Sequence, residues 1–223
     1  AENLARLGVR VELVTAFGDD AASRELAEEC RSVGVSVEAS LRVSGMPGAR
    51  YLAVNDEHHA LAVAVNDMRV LDRITPEALA EEPRRTLIAA ADIVVVDANL
   101  TPAALAAVAE AARGPLVLDP VSAPKALRAA GILGRLGALK PNAHEAEALL
   151  GTYPRDLPAA RDAACALVAR GAARAFVTPG ALGVGWADAG ASGAFGLPPA
   201  RVANTIGAGD SFVAGIVYAM LAG

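Results

Sequence analysis

Residues 92–121 read "DIVVVDANLTPAALAAVAEAARGPLVLDPV". Two short apolar runs, each ending in an aspartate, flank an alanine-rich segment that opens on Thr101-Pro102, a polar residue followed by proline at a helix start. Strand, helix, strand is the order this dictates. Both strands are apolar throughout rather than alternating, so they are expected to be buried on both faces in a parallel sheet covered by helices on both sides. The same alternation runs outward in both directions. "VRVELVTAFG" precedes "ASRELAEECRSVG", and "HEAEALLG" and "AARDAACALVARG" precede "RAFVTPG". The fold class is α/β with a mainly parallel sheet. Ligands of such sheets sit beyond the carboxyl ends of the strands, which places Asp97–Asn99, Asp119–Val121, Lys140–Asn142 and Thr178–Gly180 along one edge.

Composition narrows the function classes. The 223 residues carry a formal net charge of -5 with a pI near 5.3 and 4% aromatics. With no cluster of Lys or Arg, a nucleic-acid groove and an anionic membrane surface are both disfavoured. No apolar run approaches the ~20 residues of a membrane span, and the 54% hydrophobic content is largely alanine spread along helices. A cytoplasmic protein acting on small molecules is expected. Cys30 and Cys165 lie far apart in helical patterns, as reduced core thiols. The chain reads as a single domain, 1–223. It opens inside a helical pattern without methionine and ends without a polar tail, which suggests truncation at both ends.

One segment breaks the βα rhythm. "ARYLAVNDEHHALAVAVND" (49–67) alternates on either side of a polar turn and has no helix between its halves, so it reads as a β-hairpin projecting from the domain as a small lid. Its strands would expose edges and apolar surface, and a homodimer through this lid is one way to cover them. His58 and His59 at its tip lack further ligands nearby and read as solvated turn residues. "AEEPRRT" (80–86) reads as a charged surface loop.

Three stretches carry candidate chemistry. In "NTIGAGDSF" (204–212), Gly207, Ala208 and Gly209 bring bare backbone amides to the start of an apolar helix, where an anion is favoured. Asp210 is then either a simple helix cap or a base awaiting a hydroxyl proton. In "LKPNAHEAEALLG" (139–151), Asn142 and Glu145 stand three apart at a helix start. They form a capping box, or place a carboxylate for a hydrated Mg²⁺ near a triphosphate. In "RAFVTPGALGVGWAD" (174–188), Thr178 and Gly180 end a strand, and Gly183 and Gly185 let another strand pass close by. That is a strand turn or a nucleotide border. Neither a G-x-x-x-x-G-K-[ST] loop nor a G-x-G-x-x-G turn after the first strand is present, so a phosphate site here is of another type.

In this order and spacing, "KPNAHE", "VTPGALG" and "NTIGAGDSFVAG" resemble the PfkB-type, ribokinase-like carbohydrate kinases over nearly the whole chain. The resemblance implies a ribokinase-like three-layer sandwich with a β-hairpin lid. It implies an ATP- and Mg²⁺-dependent phosphotransferase acting on a sugar or nucleoside, with Asp210 as catalytic base and Gly207, Ala208 and Gly209 as anion hole. Asn142, Thr178, Gly180 and Gly183 would border ATP, and Glu145 would hold Mg²⁺ through water. Asn204 stands where the family has an aspartate beside a monovalent cation such as K⁺. "AVNDM" (64–68), "VDANL" (96–100) and "DPVSAPKA" (119–126) are similar to the pseudouridine kinases more than to ribokinases or fructokinases. Asn66, Asp67, Asn99 and Lys125 would then touch the acceptor, or serve as turn and helix-start residues. A relative that binds ligand without turnover stays open as the other class.

Overall fold

The computed structural model describes residues 1–55, 61–198 and 206–223. These fall into two compact units, Ala1–Leu87 with Arg201–Gly223, and Ile88–Ala200.

The first unit contains α1 (Glu2–Arg6), β1 (Val11–Glu12), β2 (Ala16–Phe17), α2 (Ala21–Ser32), β3 (Val35–Ser36) and β4 (Leu41–Arg42). β5 (Arg50–Asn55) and β6 (Leu61–Asp67) follow, then α3 (Pro76–Ala80) and α4 (Arg84–Ala90), within which the second unit begins at Ile88. The run 9–18 is not one strand. Its first half pairs in parallel with β3 and its second half with β4. Between them the Ser40 hydroxyl accepts from Thr15 N–H at 3.1 Å and donates to the Leu13 carbonyl at 2.7 Å, satisfying backbone that neither pairing reaches.

α2 starts at Asp20, whose Oδ1 accepts from Ser23 N–H at 2.9 Å. Its Oδ2 accepts from Arg50 Nη2 at 2.8 Å and from Gly48 N–H at 3.3 Å. Ser23 first, then Arg50, hold the Asp20 carboxyl well below the usual range. One side chain therefore caps a helix and ties down the first residue of β5. β5 and β6 pair antiparallel from Arg50↔Asp67 to Asn55↔Leu61, the two-stranded sheet that the alternation in 49–67 predicts. His58 and His59 lie outside the described residues. The stretch 80–86 departs from the loop reading, because Arg84 lies in α4. Its guanidinium is largely buried against the Ala78 and Ala39 carbonyls and Glu81. The Arg84 head satisfies carbonyls, a use that a charge run does not reveal.

The second unit is built on a six-stranded sheet. β7 (Val94–Asp97), β8 (Leu116–Asp119), β9 (Leu136–Leu139) and β10 (Arg174–Val177) are parallel neighbours in chain order. β11 (Val184–Asp188) and β12 (Ser192–Phe195) extend it antiparallel. Between the parallel strands lie α5 (Pro102–Ala111), α6 (Ala123–Ala126) with a following 3₁₀ stretch, α7 (Ala143–Leu150) and α8 (Leu157–Ala169). Helices thus alternate with the parallel strands through this unit, as the sequence pattern predicts. Val117, Leu118, Ala138, Leu139, Ala175 and Val177 are fully buried. β7 differs from the expected burial on both faces: it is the sheet's last strand, and Val95 is 42% exposed. Cys30 and Cys165 are free and half-buried, further out than core thiols.

Gly183 and Gly185 serve different partners. A Cβ on Gly183 would lie 2.1 Å from the Phe195 carbonyl at the end of β12, as the close strand passage predicts. On Gly185 it would meet the Ala160 and Arg161 backbone of α8 at 2.2 Å, so a helix rather than a strand takes that space. Since neither backbone can yield by rotating a side chain, Gly185→Ala should destabilise the protein by about 3 kcal/mol. Thermal unfolding of the variant beside wild type measures it, and an unchanged midpoint would contradict the close approach.

Candidate active site

The carboxyl ends of the parallel strands carry the polar groups the sequence assigned to them. Asp97 and Asp119 are register partners at the ends of β7 and β8. Each closes a turn with its own carboxylate: Asp97 Oδ1 accepts from Asn99 N–H at 2.8 Å, and Asp119 Oδ1 from Val121 N–H at 3.0 Å. The Lys125 ammonium then donates to Asn99 Oδ1 at 2.5 Å, so these two residues, read separately from sequence, are a bonded pair. Water reaches Asp97, yet protein crowds it closely enough that desolvation pushes its carboxyl pKa up, with the Asn99 hydrogen bonds opposing. Lys140, 5% exposed, sits at the end of β9 with Nζ 3.2 Å from Asp119 Oδ2.

One strand further, Asn142 caps α7. Asn142 Oδ1 accepts from Glu145 N–H at 3.0 Å, while the Glu145 carboxylate accepts from Asn142 N–H and Nδ2, both at 2.8 Å. The capping box of the sequence reading is therefore formed in full. Glu145 is 2% exposed, and burial raises its carboxyl pKa above the ordinary range against the Asn142 backbone bond. Thr178 pairs with Asn142 through an isolated parallel bridge. Gly180 follows at φ 64°, left-handed backbone that glycine takes without strain.

In the first unit, Gly207 at φ 81° turns the chain into the last helix, α9 (Ala208–Ala222). Its first amides have no partners within the helix and face outward with the positive end of the dipole. Asp210 stands exposed in that first turn, beside an open depression shared with Glu2, Asn3 and Ser211. Asn3 Nδ2 donates to Ser211 Oγ at 3.2 Å, fixing α1 to the start of α9. Asn66 is exposed on β6. Asp67 is gripped by Arg69 through Nε at 2.9 Å and Nη2 at 2.6 Å, which lowers its pKa to about 2. Asn204 lies outside the described residues.

The model of the pfkB family carbohydrate kinases matches residues 1–223. The chain belongs to the pfkB family. It is 34% identical over 218 residues to the pseudouridine kinase of Escherichia coli (strain K12), covering 97% of this chain and 69% of that protein. It is 33% identical over 225 residues to the uncharacterised sugar kinase YeiI of the same organism, covering all of this chain and 62% of that one. A ribokinase from Thermotoga maritima, 22% identical, superposes with a TM-score of 0.84 over 100% of this chain and 72% of its own. An Escherichia coli structure solved with ATP and Mg²⁺, 13% identical, gives 0.82 over 100% and 73%. The fold is ribokinase-like α/β, as expected, and membership makes this an ATP-dependent sugar or nucleoside kinase.

A pfkB kinase handles ATP with Mg²⁺, and the donors here suit that pair. Among the described residues no cluster of three or more His, Cys, Asp or Glu side chains could cage a metal. Mg²⁺ arriving with a triphosphate needs no cage: it keeps most of its waters and leans on one or two carboxylates. Glu145 is the carboxylate at this part of the sheet edge, and both of its oxygens are engaged by Asn142. What the sequence reading missed was the Lys140–Asp119 pair and the backbone of Val121. The adjacency of Lys140 to Pro141-Asn142 was the available signal for the first.

The raised Glu145 pKa has a direction that can be measured. The folded protein keeps this proton at pH values where the unfolded chain has released it. Glu145 therefore contributes most to stability below the ordinary carboxylate pKa, and that contribution is lost as pH rises through the raised value. Glu145→Gln removes the titration at the loss of one hydrogen bond, about 1 kcal/mol. The variant should be the less stable protein below the ordinary carboxylate pKa and should close the gap as pH rises through the raised value. Asp97 titrates alike in both, so the difference in melting temperature across pH isolates Glu145. A constant difference would contradict the shift.

Proposed function

We propose that this chain phosphorylates the 5′-hydroxyl of a ribonucleoside, pseudouridine above all, giving the 5′-phosphate. The observation that carries the reading is Asp210, an exposed carboxylate in the first turn of α9, three residues past a left-handed glycine. A carboxylate at a helix start that favours anions makes chemical sense when it takes a proton from an incoming hydroxyl. ATP, bound with Mg²⁺, supplies the phosphoryl group. Asp210 accepts the hydroxyl proton, and the amides of Gly207, Ala208 and Gly209 offset charge on the transferred group. Asn142, Thr178, Gly180 and Gly183 border the nucleotide, and Glu145 orients the metal's waters. Asn66, Asp67, Asn99 and Lys125 hold the acceptor. The similarity to pseudouridine kinase over 97% of the chain supports the choice of acceptor.

The near-equal likeness to a sugar kinase favours a second reading, a sugar acceptor. In the whole protein, Asp210→Asn should lower kcat by ~10² or more while ATP binding, read by calorimetry, persists. Full turnover in the variant would remove Asp210 from the mechanism. ADP release with pseudouridine, uridine, adenosine, ribose and fructose separates the acceptors, and turnover of ribose without pseudouridine would favour the sugar kinase. Binding without ADP release across the panel would mean a non-catalytic relative. K⁺ dependence through Asn204 is tested by replacing K⁺ with a bulky organic cation.

The hairpin of β5 and β6 serves as acceptor lid in this reading. Leu52, Val63 and Val65 lie on one of its faces and are each more than half exposed, a surface suited to a second copy of the chain. A cytoplasmic enzyme fits a chain in which no described helix is long and apolar enough to cross a membrane. Leu52→Lys should shift the protein from dimer to monomer in light scattering. A monomeric wild type would end the dimer proposal.

A further inference from the structure

Val121 is the one described non-glycine residue with positive φ, at 66°. A β-branched side chain is a genuine outlier there, because its Cβ substituents crowd the adjoining backbone. The conformation is fully determined by its surroundings. Asp119 Oδ1 accepts from Val121 N–H at 3.0 Å, Ser122 N–H reaches back to the Pro120 carbonyl at 2.7 Å, and Pro120 itself is buried. Core packing does not offset the strain, since Val121 is 41% exposed. Glycine or asparagine would follow the same turn without crowding.

The position of this strained valine suggests its use. Asp97 and Asp119 are register partners, and each bonds the N–H two residues on, so Asn99 and Val121 occupy equivalent places on neighbouring strands. The ends of β7 and β8 therefore carry, at equivalent places, the polar Asn99, bonded to Lys125, and the exposed apolar Val121. A planar heterocycle has that duality, apolar on its faces and polar on its edge. We propose that Val121 is a specificity-determining residue, its methyls forming an apolar wall against the base of a nucleoside acceptor. This rests on the nucleoside kinase reading above and deepens it: Val121 sets the preference for acceptors that carry a base over a bare sugar.

Two variants of the whole protein test this. Val121→Asn relieves the strain and removes the methyls. Its melting temperature should rise by ~2–6 °C. KM for pseudouridine should rise ~10-fold, while KM for ATP and any turnover of ribose stay as in wild type. Val121→Thr keeps the branched shape and the strain, so its melting temperature should match wild type while KM for the nucleoside still rises. A lower melting temperature in Val121→Asn would mean that the valine is there for packing, and an equal loss with ribose and nucleoside would mean a general disturbance. Either overturns the proposal. Wild type that phosphorylates nucleosides while both variants keep the nucleoside KM overturns the role of Val121 alone. Wild type that phosphorylates ribose and no nucleoside overturns the acceptor reading beneath it.

Discussion

The Asp119 carboxylate stands between a buried ammonium and a strained turn, and the geometry of the sheet edge depends on it. One oxygen meets Lys140 Nζ and the other holds Val121 N–H, while the Asp119 backbone carbonyl accepts from Ala98 N–H at 3.0 Å. A lysine as buried as Lys140 is tolerable only beside a partner of opposite charge. Removing one side of such a pair leaves an uncompensated charge and costs roughly 3–5 kcal/mol. Three strands are therefore tied at their ends by one residue, through its carboxylate and its backbone carbonyl, and the residues that follow each strand inherit fixed starting points. Asn99 leaves β7, Val121 leaves β8 and Asn142 follows β9, each from an anchored backbone.

The parallel part of the sheet was legible because uninterrupted apolar runs such as Leu116–Leu118 leave no polar face to expose. The capping box was legible because Asn142 and Glu145 obey a local rule in which each residue satisfies the other's backbone. The residues that escaped act through space. Lys140 reads as one more charged residue until β8 brings Asp119 beside it. The conformation of Val121 cannot be read from a valine at all, since its own preference is for extended backbone. Arg84 was misjudged for a related reason: a charge run predicts a solvated surface, and only the Ala39 and Ala78 carbonyls reveal what its guanidinium serves. Local signals survive in the one-dimensional record, and those that depend on pairing between distant segments do not.

The candidate residues use two different means of handling negative charge. At α7 the helix start is occupied by its own side chains, since Asn142 and Glu145 complete the cap between them. At α9 the cap is a glycine with no side chain to offer, so no side chain of its own satisfies the first amides. Two helix starts in one chain thus differ in whether a side chain caps them.

Asp20 has a consequence for motion as well as for shape. The carboxylate that starts α2 also grips Arg50 at the root of the hairpin, while Asp67 on the paired strand is held by Arg69. Close glycine contacts reinforce the seat: a Cβ on Gly48 would strike Ser23, and one on Gly18 would strike the Gly48 backbone. The hairpin root cannot swing without loosening the first turn of α2, and that turn cannot fray without releasing the hairpin. In terms of hydrogen exchange, the amides of Ser23 and Gly48 are expected to open together, because both donate to the Asp20 carboxylate although they lie in different elements of the fold.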